Sequence, residues 1–270
     1  MITNAVATFN KMASTYDADF TMSGIGRLQR ERVWCYLNNF LAAEGRPLRI
    51  LEINCGTGED ALRLADLGHD VIATDASGFM IKCAAEKAST LHPRGSVIFV
   101  TCSFDELASH FANEKFDLVF SNFGGLNCID TNALKNISHD LAKLLQPQGH
   151  LLFVVMSNCC LREIFYYAIR AKMRTAFRRL HGVSTFGAGN NIMTVFYYSP
   201  KGFRKIFCQH FSFEQQHPVG LFIPPSYLEK RYANTSRSLE KLNRLEKKWD
   251  YPAMARFADH YCIVFKKTNP

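Results

Sequence analysis

Short, continuous apolar runs alternate with stretches of helical periodicity through the first 156 residues. The runs are RPLRILEIN, DVIATDAS, SVIFVTC, KFDLVFSNFGG and HLLFVVM. Unbroken apolar runs of strand length are what a parallel sheet covered on both faces requires. Between them, ALRLADLGH and SGFMIKCAAEKAST carry helical spacing, the second with Ser77 placed to cap its start. A further helix is expected from about Asn132 to Leu145, stopped by Pro147 and Gly149. Repeated βα units of this kind predict a doubly wound α/β sheet.

Two helices are expected ahead of the first strand, near Ala5–Ala13 and Gly26–Phe40. In the second half, CLREIFYYAIRAKMRTAFRRL reads as one long basic helix, followed by the glycine-rich turn HGVSTFGAGNN. IMTVFYYS and FSFEQQHPV are strand-like, SPKGFRKIFCQHF is a helix opened by Pro200, and a polar helix covers roughly Ser226 to Lys248. HYCIVFKK closes the chain as a strand.

Composition narrows the class. A hydrophobic content of 47% with 22 Phe excludes disorder, and no apolar run approaches the roughly 20 residues of a membrane span. The start of the chain lacks the basic-then-apolar order of a secretory signal. Nine cysteines without a C-x-x-C pair read as reduced thiols of a cytoplasmic protein, with no metal site expected. Charge is split: residues 1–156 hold 13 basic and 17 acidic side chains, residues 157–270 hold 19 and 7.

The sharpest motif is LEINCGTGEDA, a strand running through Gly56-Thr57-Gly58 into a helix. Glycines there allow a tight turn and close approach to a ligand. GxGxxA also matches a dinucleotide fingerprint, which keeps an NAD(P)-dependent oxidoreductase open. Asp75 ends the second strand, where a carboxylate can take both hydroxyls of a ribose. Glu52 at the end of the first strand is awkward beside a pyrophosphate but suits an ammonium or sulfonium charge.

These segments resemble the class I S-adenosylmethionine-dependent methyltransferases. LEINCGTGEDA with VIATDAS resembles their first two motifs, FDLVFSNFGGLN the fourth-strand motif, and LLQPQGHLLFVV the approach to the fifth strand. ATFNKMASTYDADF resembles the F-x-x-x-A-x-x-YD segment of the ubiquinone/menaquinone-type and biotin-pathway-type small-molecule methyltransferases. The resemblance implies a Rossmann-like, mostly parallel seven-stranded sheet with N-terminal helices and a helical lid after the fifth strand. It implies a cofactor-binding core over 1–156, a basic lid or substrate cap over 157–210, and closing strands with a second inserted helix over 211–270.

By position, the resemblance places Gly56 and Gly58 against the methionine part of S-adenosyl-L-methionine, with Glu52 supporting its amino group. Asn54 stands where the family's first glycine usually sits, with Cys55 beside it in the turn. Asp75 would hold the ribose, and Ala76 and Met80 would flank the adenine. Ser103, followed by Phe104, replaces a common acidic residue. Asn122 and Phe123 would line the methyl-transfer side, Tyr16 would close over the cofactor, and Arg30 would reach its carboxylate. Read from the residues alone, Tyr16 is equally a packed aromatic, and Arg30 is most simply a solvated helix residue within RLQRER.

Methyl transfer from a sulfonium needs alignment and water exclusion more than acid–base chemistry, and no residue stands out as a base. The expected reaction is in-line transfer to a small-molecule or carrier-bound acceptor, anionic or aromatic. Phe186, Phe196, Tyr197, Tyr198, Phe222 and Tyr227 would suit such a pocket or equally a core. The basic half suits an acidic acceptor, a carrier, an anionic membrane surface or nucleic acid, or simply solvated arginines. A nucleic-acid methyltransferase is disfavoured because SNFGG stands where many amino-methylases of nucleic acids carry Asn/Asp-Pro-Pro-Tyr.

Overall fold

A computed structural model describes residues 2–186, 192–232 and 236–268. Nine strands alternate with eleven α-helices among these residues. The strands are β1 (Arg49–Ile53), β2 (Asp70–Asp75), β3 (Ser96–Thr101), β4 (Phe116–Ser121), β5 (Leu145–Met156), β6 (Val183–Phe186), β7 (Met193–Phe196), β8 (Phe211–Val219) and β9 (His260–Lys267). The helices of the first half are α1 (Ile2–Met12), α2 (Gly24–Glu44), α3 (Glu59–Asp66), α4 (Gly78–Ala88), α5 (Leu107–His110) and α6 (Thr131–Leu144). Those of the second half are α7 (Leu161–Ala168), α8 (Met173–Ala176), α9 (Pro200–Phe207), α10 (Glu229–Tyr232) and α11 (Ser236–Lys248).

Seven strands form one sheet in the order β3-β2-β1-β4-β5-β9-β8. The pairings from β3 to β5 are parallel, whereas β9 runs antiparallel to β5 and β8. This is the expected doubly wound, mostly parallel sheet. Its strand order reverses at β1, and in such sheets ligands bind outside the carboxyl ends of the strands at that switch point.

Alternation along β1 sorts the two faces. Leu51 and Ile53 join Leu134, Leu141, Phe203 and Phe207 on the side of α6 and α9. Ile50 joins Trp34, Leu37, Ala61 and Leu64 on the side of α2 and α3. Glu52 has the parity of Ile50, and it is held on the α2/α3 side, where Asp60 and Arg30 stand. Caps follow the sequence: Ser23 opens α2, Ser77 α4, Asp130 α6 and Ser199 α9, each accepting from backbone N–H groups of its own first turn.

Three expectations change. β5 begins directly after α6, and Pro147–Gly149 lie inside it as a local irregularity: the five-residue step from Leu145 to His150 faces the two-residue step from Phe116 to Leu118. The polar helix over 226–248 is divided into a 3₁₀ turn, α10 and α11, with residues 233–235 outside the described set. The long basic helix is broken into α7, α8 and a 3₁₀ turn, with Ala171 at φ 55°. Residues 187–191 of the glycine-rich turn lie outside the described residues.

The break has an electrostatic cause. Along a straight helix, Glu163 and Arg178 would be separated by about 22 Å. Instead Arg178 Nε and Arg179 Nε donate to the two oxygens of the buried Glu163 at 2.8 and 2.9 Å. Arg179 also donates to Asp259 at 2.7 Å, and Gln29 of α2 donates to the same carboxylate at 3.0 Å. The neighbouring His260 and Arg179 hold Asp259 below the usual carboxylate range in spite of its burial. A second buried carboxylate, Glu246 of α11, accepts four backbone N–H bonds from Gly220, Leu221, Phe222 and Ile223 at 2.7–3.2 Å. No described helix is long and apolar enough to cross a membrane.

Candidate functional site

A cleft of about 970 Å³ opens over the carboxyl ends of β1, β2 and β4 and is roofed by α1 and the segment that follows it. All but one of the residues that the sequence suggests for the cofactor line it: Tyr16, Arg30, Glu52, Asn54, Cys55, Gly56, Asp75, Ala76, Met80, Ser103, Phe104, Asn122 and Phe123.

Glu52 is 1% exposed, and among the described residues its Oε2 has no hydrogen-bond partner. Burial raises its pKa well above the ordinary carboxylate value; Asp60 and Asp75 raise it further, while Arg30 opposes them. A buried carboxylate oxygen left without a donor is costly and calls for a cationic or hydrogen-bonding ligand. Asp75 stands at the end of the neighbouring strand β2. Its Oδ2 accepts from Gly56 N–H at 2.9 Å and its Oδ1 from Ser77 N–H at 2.8 Å, which fixes the carboxylate and leaves further lone pairs for hydroxyls. Burial nonetheless pushes its pKa up.

The turn between them is built by local conformation. Asn54 adopts φ 56° and Gly56 φ 55°. The Asn54 side chain accepts from Ser121 Oγ at 2.6 Å and donates to the Asn122 carbonyl at 2.8 Å, so it links β1 to the end of β4. Asn is one of the few residues that tolerate this left-handed conformation, and its amide repays the strain.

Two expectations are corrected here. Gly58 does not line the cleft: a Cβ there would meet Phe99 and Ala84 at 2.7–2.8 Å, so this glycine serves the packing of α3 against β3 and α4. Arg30 is not a solvated residue of a basic helix. It pairs with the buried Asp60 and lies over the rings of Phe20 and Phe123, 6.0 and 5.2 Å from their centroids. Ser103 gives both its N–H and its hydroxyl to Glu106, at 2.9 and 2.5 Å, so its side chain is already committed.

Other residues of the site had no assigned role in the sequence. Asp60 accepts from Trp34 Nε1 at 2.7 Å and Asn122 Nδ2 at 2.8 Å besides Arg30, and so sets the floor on which Glu52 and Arg30 face the cleft. In the first turn of α3 it reads only as a residue favoured by the helix dipole, which hid its role. The N-terminal roof is tied down by three polar contacts. Thr57 donates to Asp17 at 2.6 Å, Lys87 donates to Asp17 at 2.9 Å, and Ser77 donates to Asn10 at 2.5 Å. Tyr16, near the place a Gly56 Cβ would occupy, has its phenol pushed up to about 12 by burial and is neutral. Of the aromatics read as acceptor-pocket candidates, Tyr198 is in the main core and Tyr197 in a small cluster beside α1. Tyr227 binds Glu163, and Phe222 packs near Trp249. The apolar wall of the cleft is instead Val6 and Phe9 of α1 with Cys128 and Ile129.

Residues 50–149 match a family model described as a methyltransferase domain. Over this segment the chain is similar to methyltransferases. It is 33% identical over 118 residues to the putative methyltransferase YqeM of Bacillus subtilis, covering 43% of this chain and 46% of that one. It is 30% identical over 103 residues to the tRNA 5-carboxymethoxyuridine methyltransferase of Escherichia coli, covering 38% and 40%. Identity to the malonyl-[acyl-carrier protein] O-methyltransferase of Pseudescherichia vulneris is 28% over 159 residues, covering 58% and 55%. The chain thus spans about half the length of the curated relatives it matches. Among solved structures, the DhpI–SAH complex superposes with a TM-score of 0.62 over 100% of this chain and 98% of that one at 14% identity, which supports the fold.

Proposed function

We propose that the protein transfers a methyl group from S-adenosyl-L-methionine to a small-molecule or carrier-bound acceptor with an apolar or aromatic reacting part. The observation that carries this reading is the unpartnered Oε2 of Glu52 in the cleft that also holds Asp75 and the Gly56 turn. A wall of carboxylates suits a ligand with ammonium and sulfonium charge; it opposes a pyrophosphate and so weighs against the NAD(P) alternative.

Glu52 would hold the amino group, Asp75 the ribose hydroxyls, and the apolar surface of Ala76, Met80 and Phe104 the adenine. When bound, the cofactor supplies an electrophilic methyl on a good neutral leaving group. The chain's own part is to align and to exclude water. Tyr16, Phe20 and Phe123 form a continuous aromatic roof, with ring centroids 5.6 and 5.1 Å apart in sequence. The acceptor would enter beside Phe9, Cys128 and Ile129. Burial raises the Cys128 thiol to about 12, so it acts as apolar surface. We assign the substrate cap to 157–199, because Phe203 and Phe207 of α9 are packed in the main core.

One observation favours a second reading. The E. coli relative modifies tRNA, and the basic half could serve RNA. Incubation with methyl-labelled cofactor and a cell extract separates the two. Label in a metabolite or carrier fraction supports the proposal; label confined to RNA overturns it.

A further inference from the structure

From Ile164 to Phe213 the chain contains eight Lys and Arg and not one Asp or Glu. Glu163, just before this stretch, is buried and already neutralised by Arg178 and Arg179. The stretch follows the carboxyl end of β5.

The stretch includes the turn between α7 and α8. Ile169, Arg170, Ala171, Lys172, Met173 and Arg174 are six consecutive exposed residues around the left-handed Ala171. Phe165 is 64% exposed, Ile169 78% and Met173 51%. Phe165 of α7 and Ile169, the residue that caps its end, are four residues apart, the spacing of neighbours on one helix face. Arg170, Lys172 and Arg174 make no ion pair among the described residues; Arg170 lies over the ring of Tyr166, 3.8 Å from its centroid. Large side chains at such exposure have no folding role, and surface apolar residues of this size gathered at a tip mark an interaction site.

We infer that this tip docks on an anionic lipid bilayer, with Phe165, Ile169 and Met173 entering the headgroup boundary and Arg170, Lys172 and Arg174 facing acidic headgroups. Interleaved bases and bulky apolar groups without acids are the pattern that surface binding to anionic lipid demands. The uncompensated positive charge selects that partner over a neutral surface.

The test is co-sedimentation of the full chain with vesicles of phosphatidylcholine alone or mixed equally with phosphatidylglycerol, at low and high salt. Binding is expected on the mixed vesicles, weaker in salt, and weak on phosphatidylcholine. Each lost cation should reduce partition roughly fivefold, so Arg170, Lys172 and Arg174 all changed to Glu should reduce it by on the order of 100-fold or more. Ile169→Ser with Met173→Ser should also release the protein. Binding of S-adenosylhomocysteine by the same variants, measured by calorimetry, should be unchanged, because the tip is outside the cleft. Absence of binding to mixed vesicles, or binding that survives both variants, overturns the inference. So does tip-dependent binding to RNA or an acidic carrier protein without binding to vesicles. Absence of S-adenosylhomocysteine binding by the unaltered protein would instead count against the proposed function alone.

Discussion

Thr57 on the glycine turn donates its hydroxyl hydrogen to Asp17 on the N-terminal segment at 2.6 Å. The bond closes the roof onto the cleft, and Lys87 reaches the second oxygen of the same carboxylate at 2.9 Å. These donors hold Asp17 below the usual carboxylate range although burial works against them. Asp17→Ala should leave the fold intact, weaken S-adenosylhomocysteine binding about tenfold, and expose the first segment to proteolysis. Calorimetry and limited digestion with and without ligand check both effects.

Glu52 predicts an opposite pair of effects on stability and binding. Folding raises its pKa, so the neutral form is preferred in the folded, ligand-free protein. Its contribution to stability is therefore full below the unfolded pKa and is lost as pH rises through the folded one. Glu52→Gln should raise the melting temperature of the ligand-free protein at neutral pH, by about 2–4 °C for each kcal/mol relieved. A cationic ligand reverses the preference and releases the proton. Affinity for the cofactor should thus rise with pH through the folded pKa in the native protein, and Glu52→Gln should bind weakly with a flat profile.

Arg179 satisfies two buried carboxylates at once, Glu163 and Asp259. Arg179→Met would take a charged partner from both, leaving Arg178 and Tyr227 on Glu163 and Gln29 on Asp259. A cost of about 3–5 kcal/mol is expected, seen as a lower denaturant midpoint. Because the contact also folds α7 back onto the body, near-neutral stability in this variant would refute the electrostatic account of the helix break.

Glu246 holds the backbone of residues 220–223 through four N–H bonds. Glu246→Ala should cost about 3 kcal/mol by leaving buried donors unpaired, whereas Glu246→Gln should recover part of it. Hydrogen exchange at Gly220–Ile223 reports the loss directly.

The sheet was legible because continuous apolar runs separated by helical spacing admit few alternatives, and β1, β2, β4 and β9 fall where their runs stand. The lining of the candidate site was legible because a glycine turn, Glu52 and Asp75 are fixed by spacing within two βα units, and all three line one cleft. What escaped depends on contacts between distant segments. Nothing local marks Asp60 as the partner of Arg30 and Trp34, or Asp17 as the partner of Thr57. The basic helix looked continuous because its period is helical; only the meeting of Glu163 with Arg178 and Arg179 breaks it. Gly58 resembled a ligand-facing glycine, yet Phe99 and Ala84 claim the space its missing Cβ leaves.

The central claim is that Glu52, Gly56 and Asp75 form one site for a cationic, ribose-bearing cofactor. Isothermal titration of the full chain with S-adenosylmethionine, S-adenosylhomocysteine and NADH tests it most directly. Micromolar-range binding of the first two, weakened at least about tenfold by Asp75→Ala, is the expected result. Binding of NADH alone, or of neither sulfur ligand, would contradict it.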